Sequence, residues 1–155
     1  MIVDASVATK WFVREDVLRP EATAVRDALI DERLRLAAPM ILWTEVSNAI
    51  IRAARRERID RNGVLALADL VQVVHPLIDG VAVEPRDIIH TAVSVGIGAH
   101  DATYLAAARL AMQSILTADL GMLERGRAHG YDVVWLGDVT LRDGVLVDTP
   151  QGYQG

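Results

Sequence analysis

Residues 114–136 read SILTADLGMLERGRAHGYDVVWL and predict a strand, a helix and a second strand in succession. Residues 114–117 form a short apolar run typical of a buried strand, and residues 133–136 form another. Between them, residues 120–129 are predicted to form a helix that ends at Gly130, because glycine is favoured just after a helix. A helix that connects two strands in this way allows them to lie parallel in one sheet, so the unit indicates an α/β fold.

The same alternation of strands and helices runs through the rest of the chain. Further short strands are predicted at residues 1–4, 35–38 and 75–83. Further helices are predicted at residues 20–33, 40–58, 61–74 and 101–112, and another begins at residue 84 and ends near Gly96 or Gly98. Asp60 is the predicted N-cap of one helix, and Asp79-Gly80 a predicted turn. Together these elements predict an α/β sandwich with a mainly parallel sheet of four or five strands.

Length and composition indicate one folded domain. The chain has 155 residues, of which 52% are hydrophobic, so it can form its own core. It has no cysteine, which excludes disulfides and thiolate metal sites. Residues 1–137 are expected to form the domain, and residues 138–155 a C-terminal extension with a hairpin around Asp143-Gly144 and a loose end. No signal peptide or membrane span is expected, which favours a cytoplasmic location.

The chain is acidic, with a formal net charge of −5. Proteins that hold nucleic acid by charge alone are usually basic, so a simple RNA-binding module is disfavoured. An enzyme with an acidic site is less affected by this argument, because bound cations neutralise such a site.

Two aspartates directly follow predicted strands. Asp4 ends the first apolar run, and Asp119 follows the run at residues 115–118. In open α/β sheets, ligands bind outside the carboxyl ends of the strands, so both positions suit a site. Each aspartate is also a plausible N-cap of the next helix, and Ser6 is an alternative cap beside Asp4. Two strand-end aspartates in one sheet favour the functional interpretation.

Glu45 and Asp101 are placed by helices. At helical spacing Glu45 shares a face with Leu42 and Ala49, on or beside the apolar stripe, where an isolated charge is costly. It is therefore expected to bind a metal ion, unless it pairs with Arg52 or is solvated at the edge of the stripe. Asp101 is predicted to begin its helix, where an N-cap role is sufficient and a second role in a site stays open.

These four carboxylates would repel one another if the fold brought them together. One or more would then take up a proton, unless a cation lay among them. Hard oxygen ligands select Mg²⁺ or Mn²⁺ over Zn²⁺, and the sequence lacks a His/Cys cluster with zinc spacing. The four acids together therefore predict a magnesium or manganese site.

Four segments, in this order, resemble the four motifs of the PIN-domain family. They are IVDAS at residues 2–6 with Lys10-Trp11 after it, PMILWTEVSNA at 39–49, HDATYLAAA at 100–108, and LTAD at 116–119. The resemblance spans roughly residues 1–137. It implies a PIN-like three-layer α/β/α sandwich.

Within that family, the size and motifs look most like the VapC-type toxins of type II toxin–antitoxin systems. This resemblance implies a Mg²⁺- or Mn²⁺-dependent endoribonuclease that hydrolyses RNA phosphodiester bonds. It also implies inhibition by a cognate VapB-like antitoxin, and a homodimer.

The resemblance also assigns roles to residues of this chain. Asp4 and Asp101 would hold the principal metal ion, with Asp119 completing the site directly or through water. Glu45 would bind a second ion or orient the attacking water. Ser6 and Thr117 are hydroxyl candidates for supporting or phosphate contacts, although each is also suited to cap a helix.

Three arginines near the end of the helix at residues 40–58 offer a face for RNA or for the antitoxin: Arg52, Arg55 and Arg56. A solvated helix end is the alternative interpretation, and charge runs on helices favour it. Trp11, Phe12 and Trp43 are expected in the core or an interface, and not as platforms for stacked bases. No histidine is assigned to catalysis.

Other functions are weaker matches to these residues. A haloacid-dehalogenase-like, metal-dependent phosphatase expects a second aspartate two residues after the first, where this chain has Ser6. A receiver-like phosphoacceptor module needs a lysine after a late strand, and Lys10 is the only lysine. A catalytically silent PIN-type module that binds RNA or protein stays open as an alternative, although the presence of all four acids disfavours it.

Overall fold

A computed structural model describes residues 1–13, 17–57, 59–142 and 145–148 of the chain. A central sheet holds five strands, all paired in parallel, in the order β3-β2-β1-β4-β5. These strands are β1 (Ile2–Val3), β2 (Leu36–Pro39), β3 (Ile78–Val81), β4 (Ile115–Thr117) and β5 (Val133–Trp135). The predicted α/β class with a parallel sheet of four or five strands is confirmed.

Seven α-helices connect and cover these strands within the described residues. They are α1 (Ala5–Ala8), α2 (Arg19–Ile30), α3 (Ile41–Glu57), α4 (Arg61–Val74), α5 (Pro85–Val95), α6 (Ala99–Ala111) and α7 (Leu120–Ala128). Asp60 caps α4 as predicted, since its carboxylate accepts a hydrogen bond from the Gly63 amide at 2.8 Å. Gly96 ends α5 with a φ of 72°, a left-handed conformation that glycine adopts without strain.

Helices cover both faces of the sheet. Consecutive residues of β1, β2 and β4 are all buried, although neighbours along a strand point to opposite faces. The molecule is therefore a three-layer α/β/α sandwich. Trp11 and Phe12 are buried in its core, as predicted, and the Trp11 indole donates a hydrogen bond to the Ala22 carbonyl at 2.9 Å.

The predicted turn at Asp79-Gly80 is wrong. Both residues lie inside β3, where they pair with Ala37 and Ala38 of β2. Since β3 is an edge strand of the sheet, its outer side accepts polar residues and glycine that a central strand would not. The predicted strand at 75–83 is also shorter in the structure, because His75–Leu77 form a 3₁₀ turn.

Two further strands follow the sandwich. Val139–Arg142 (β6) and Val145–Asp148 (β7) pair antiparallel, with Arg142 opposite Val145. The predicted turn at residues 143–144 and the predicted loose end at residues 149–155 lie outside the described residues. No helix in the described ranges is long and apolar enough to cross a membrane.

Candidate active site

The candidate site lies where the order of the strands changes direction. The chain passes from β1 through β2 to β3 on one side, and β4 and β5 lie on the other side of β1. Asp4 follows β1 directly, and its amide donates to the Leu116 carbonyl of β4 at 3.0 Å. Asp119 follows β4 after Ala118. Such a point in an α/β sheet opens a crevice at the carboxyl ends of the strands, which is where ligands bind.

Asp4 is buried at the base of this crevice. Its Oδ2 accepts hydrogen bonds from the Ser6 hydroxyl at 2.5 Å and from the Thr117 hydroxyl at 2.7 Å. Although Asp4 precedes α1, its side chain makes no capping hydrogen bond. Asp4 does occupy the N-cap position of α1, and a hydrogen bond with the Ala5 backbone lowers the pKa of its carboxyl. A capping role alone does not account for the side chain, however, since Oδ2 accepts from hydroxyls of α1 and β4.

Burial controls the protonation of Asp4. Loss of water around the carboxyl raises its pKa from 3.8 to about 6, while the hydroxyls of Ser6 and Thr117 lower it and the charge of Glu45 raises it further. Only 6% of the residue is exposed. A buried carboxylate with a raised pKa beside another negative charge is typical of a functional site, because a bound cation would relieve both effects.

The two hydroxyls also hold the loop that carries Asp119. The Ser6 hydroxyl accepts from the Ala118 amide at 2.8 Å, and the Thr117 hydroxyl accepts from the Asp119 amide at 3.0 Å. Thr117 is fully buried, which places it behind Asp4 and away from any substrate. Both residues therefore support the ends of β1 and β4.

Asp119 has the capping role that the sequence left open. Its Oδ1 accepts a hydrogen bond from the Met122 amide at 3.0 Å, at the start of α7. The residue is exposed, and its negative charge contributes to the raised pKa of Asp101. Asp119 is therefore both a helix cap and part of the charge cluster.

The predicted start of the helix at Asp101 is wrong by two residues. Gly98, in an extended conformation, takes the N-cap position, and α6 begins at Ala99. Asp101 thus lies in the first turn, where its charge is favourable for the helix dipole, and it is not the cap. Partial burial and the charges of Asp119 and Glu45 raise its pKa, while His100 and Arg125 lower it.

Glu45 lies at the edge of the buried face of α3. Its side chain is 25% exposed, its Oε2 accepts from the Tyr104 hydroxyl at 2.5 Å, and its Oε1 lies 3.4 Å from Nδ1 of His100. The predicted position beside the apolar stripe is confirmed. The alternative pairing with Arg52 is wrong, because both oxygens face residues of α6.

Three residues near the carboxylates were not found from the sequence. Tyr104 contacts Glu45, His100 lies beside it, and the charge of Arg125 lowers the pKa of Asp101. The sequence spacing could have indicated Tyr104, since it comes three residues after Asp101 and therefore lies on the same face of the helix.

The four carboxylates form one electrostatic group, but they do not form a closed ligand cage. Glu45 raises the pKa of both Asp4 and Asp101, and Asp119 raises that of Asp101. Across the described residues, no three acidic or histidine side chains stand close enough together to chelate an ion directly. Mg²⁺ usually takes only one or two protein carboxylates and keeps several waters, so the donor set still fits this ion.

The three arginines of α3 have different surroundings. Arg52 lines a cavity beside Glu45 and His100, whereas Arg55 lines a separate, largely apolar groove between α3 and α4. Arg56 pairs with Glu57 at 3.2 Å. All three arginines are exposed, which agrees with the solvated helix end that the sequence favours, and among the three only Arg52 lines the cavity beside Glu45.

The solved structures that are similar to this chain include two that cover most of its length. PAE2754 from Pyrobaculum aerophilum matches with a TM-score of 0.66 and 23% identity, over 88% of this chain and 90% of that chain. FitAcB from Neisseria gonorrhoeae matches with a TM-score of 0.59 and 19% identity, over 85% and 94%. No family model and no curated protein match the sequence. At these identities the likeness shows the fold, a PIN-like three-layer sandwich as predicted.

Proposed function

We propose that this chain is a Mg²⁺- or Mn²⁺-dependent endoribonuclease that acts as the toxin of a type II toxin–antitoxin pair. The observation that carries the proposal is the buried carboxylate of Asp4, held by two hydroxyls at the carboxyl edge of the sheet. The negative charge of Glu45 acts on both Asp4 and Asp101, and that of Asp119 acts on Asp101. A cation is the simplest group that makes such an arrangement stable at neutral pH.

Asp4 and Asp101 would hold the principal ion, with Asp119 and Glu45 completing the site through water. Oxygen ligands of this kind select Mg²⁺ or Mn²⁺. A bound ion of this class lowers the pKa of its water and stabilises the leaving oxygen of a phosphodiester.

The residues of the chain supply position and charge. Ser6 and Thr117 hold Asp4 in one orientation through hydrogen bonds to Oδ2. Tyr104 holds Glu45, whose carboxylate is the group that would orient the attacking water. Side chains held by neighbouring hydrogen bonds keep a reactive geometry with little loss of entropy, which is a major source of rate acceleration.

A protein partner is part of the proposal. The described surface exposes several large apolar side chains on α4 and α5, including Leu70 (53% exposed) and Val93 (79%). Several large apolar side chains exposed on one surface are typical of a protein interface. We assign them to a VapB-like antitoxin and to a second copy of the chain. Co-purification with a short antitoxin peptide would test the antitoxin contact. Light scattering would test the dimer.

A catalytically silent PIN-type module that binds RNA or protein is the second candidate. The observation that favours it is the lack of a direct three-ligand group in the described residues. Such a module would bind RNA without cutting it.

Cleavage of a mixed pool of transfer and ribosomal RNA by the purified protein tests the proposal. The lanes contain Mg²⁺, Mn²⁺ or EDTA, with the Asp4→Asn variant beside the wild type. Discrete fragments that require both metal and Asp4 are the expected result. Asp60→Asn is the matched control, because Asp60 caps α4 through Gly63, whereas Asp4 lies in the crevice.

Either of two results would overturn the nuclease proposal. Cleavage by Asp4→Asn at the wild-type rate would remove Asp4 from the site. Binding of RNA without cleavage in any lane would support the silent module.

A further inference from the structure

A cavity of about 270 Å³ lies directly beside the carboxylates. It is formed by α1 and the turn after it, by α3, and by the first turn of α6. Its volume is slightly below that of ligand pockets for drug-sized molecules, which span roughly 300–1,000 Å³. Its polar lining consists of Ser6, Thr9, Glu45, Asn48, Arg52 and His100.

Three of these residues form a row along α3. Glu45, Asn48 and Arg52 are three and then four residues apart, so they lie on one face of the helix. At about 1.5 Å per residue, Arg52 is roughly 10 Å further along the helix axis than Glu45. The row therefore runs from an acidic end at the candidate site to a cationic end away from it.

The charge of Arg52 is available to a ligand. In the described part of the chain Arg52 forms no ion pair, whereas Arg26, Arg33 and Arg109 each pair with an aspartate. Glu45, the acid nearest to it in the row, is already engaged by Tyr104 and His100. An unpaired guanidinium in a polar cavity favours an anion, and a planar fork of donors suits a phosphate.

The other lining residues suit the rest of a nucleotide. Asn48 and Thr9 offer donors and acceptors for a ribose or a base edge. The His100 side chain is 71% exposed, so its ring is open to stacking, and bases of single-stranded RNA stack on such rings.

We propose that this cavity is a subsite for the nucleotide next to the cleaved bond, with Arg52 binding the flanking phosphate. The assignment rests on the proposed nuclease function, since it places the cavity relative to the bond that is cut. It deepens that function by predicting that the enzyme needs a single-stranded phosphodiester chain that extends past the cut on the side of α3.

Binding measured without cleavage tests the subsite. In an Asp4→Asn background with Mg²⁺, we expect Arg52→Gln to weaken the binding of a fluorescein-labelled, single-stranded RNA of mixed sequence about tenfold. The slope of log affinity against log salt should fall by about 0.7, the value for one phosphate contact to a single strand. Arg55→Gln is the matched control, because it removes the same charge from the same helix outside the cavity.

A scan of the RNA then locates the contact. One phosphate at a time is replaced by an uncharged methylphosphonate on a 2′-O-methyl nucleotide. One position should weaken binding to the Asp4→Asn protein and have no further effect when Arg52 is also replaced. Equal melting temperatures of the Arg52 and Arg55 variants check that both fold.

Two outcomes would overturn the subsite: equal effects of the Arg52 and Arg55 variants on RNA affinity, or no methylphosphonate position that depends on Arg52. The first would leave Arg52 to a protein partner or to solvent. Failure of the nuclease proposal is a separate result, since it is measured by wild-type cleavage. RNA binding that depends on Arg52 without any wild-type cleavage would support the cavity as a binding site and overturn the nuclease.

Discussion

The hydroxyl of Tyr104 donates a hydrogen bond of 2.5 Å to Oε2 of Glu45, which joins α6 to α3 across the candidate site. Burial, this hydrogen bond and the charges of Glu45 and Asp4 raise the pKa of Tyr104 well above its usual range. The phenol therefore stays protonated and remains a donor at neutral pH. Tyr104 is thus a positioning residue for Glu45.

Removal of this hydroxyl should impair activity more than stability. We expect Tyr104→Phe to reduce RNA cleavage at least tenfold, as is typical when a residue that orients a metal-site carboxylate is lost. The phenyl ring keeps its packing, so the free energy of unfolding should fall by only about 1 kcal/mol. Cleavage rates at several Mg²⁺ concentrations and urea unfolding measure the two effects.

Tyr131→Phe is the control for that variant. Tyr131 comes just before β5, so it lies at the amino ends of the strands, whereas the candidate site lies at their carboxyl ends. Equal cleavage by Tyr104→Phe and the wild type would show that Glu45 needs no support from the Tyr104 hydroxyl.

Asp4 should make the metal-free protein less stable as the pH rises. Its pKa is 3.8 in an unfolded chain and about 6 in the folded one, so between these values the folded state holds a proton that the unfolded state has lost. The free energy of unfolding should therefore fall by about 3 kcal/mol between about pH 4 and pH 6. Asp4→Asn should remove the Asp4 contribution to this fall, leaving the smaller part that comes from the raised pKa of Asp101, and should be more stable than the wild type near neutral pH.

Urea unfolding in EDTA over this pH range measures the difference between Asp4→Asn and the wild type. Mg²⁺ should restore more stability to the wild type than to the variant at neutral pH, because the ion compensates the buried charge. If the free energy of unfolding changed with pH in the same way for Asp4→Asn and the wild type, the raised pKa of Asp4 in the folded state would be contradicted.

The Thr117 hydroxyl should stabilise both the fold and the ionised form of Asp4. Thr117→Val keeps the shape of the side chain, but it removes a donor to Asp4 and the acceptor for the Asp119 amide. We expect a loss of about 1–3 kcal/mol in the free energy of unfolding, a pKa of Asp4 above about 6, and slower cleavage.

Thr91→Val is the matched control for Thr117→Val. Thr91 is also fully buried, and its hydroxyl has no hydrogen-bond partner among the described residues. Its replacement by valine should therefore leave stability unchanged or raise it. If the two variants had the same stability, the hydrogen bonds of Thr117 would contribute nothing.

Two substitutions should separate the capping role of Asp119 from the role of its negative charge in the candidate site. Asp119→Asn removes the charge and keeps an oxygen that can cap α7, so cleavage should be lost with little change in stability. Asp119→Ala should lose cleavage and also about 1 kcal/mol of stability. Thermal melts and RNA cleavage of both variants separate the roles.

Asp60→Ala provides the comparison, because Asp60 caps α4 in the same way through Gly63. This variant should lose similar stability and retain cleavage. Full cleavage by Asp119→Asn would contradict a catalytic role for the Asp119 charge.

Much of the architecture was predictable because it depends on local patterns. The helix that ends at Gly96 and the cap of Asp60 are set by residues within a few positions of one another. The stretch at residues 114–136 showed a strand, a helix and a strand in order. Asp4 and Asp119 were placed correctly after their strands, since a strand end needs only the apolar run before it.

The turn predicted at Asp79-Gly80 failed for a non-local reason. Its residue types favour turns, but the pairing of β3 with β2 at the edge of the sheet overrode that preference. In the same way, the start of α6 depended on the backbone of Gly98 more than on the capping preference of Asp101.

By itself, the sequence determined the α/β class, the order of the elements and the identity of four carboxylates. These depend on the periodicity of apolar residues, on the residue types at turns, and on residues that are neighbours in the chain. Only the tertiary structure decided which side chains meet those carboxylates. Tyr104 reaches Glu45 from 59 positions away, and Thr117 reaches Asp4 from 113 positions away. It also placed Arg52 in the cavity beside Glu45 and Arg55 in the groove between α3 and α4, because the elements that form these two cavities with α3 come together only in the folded chain.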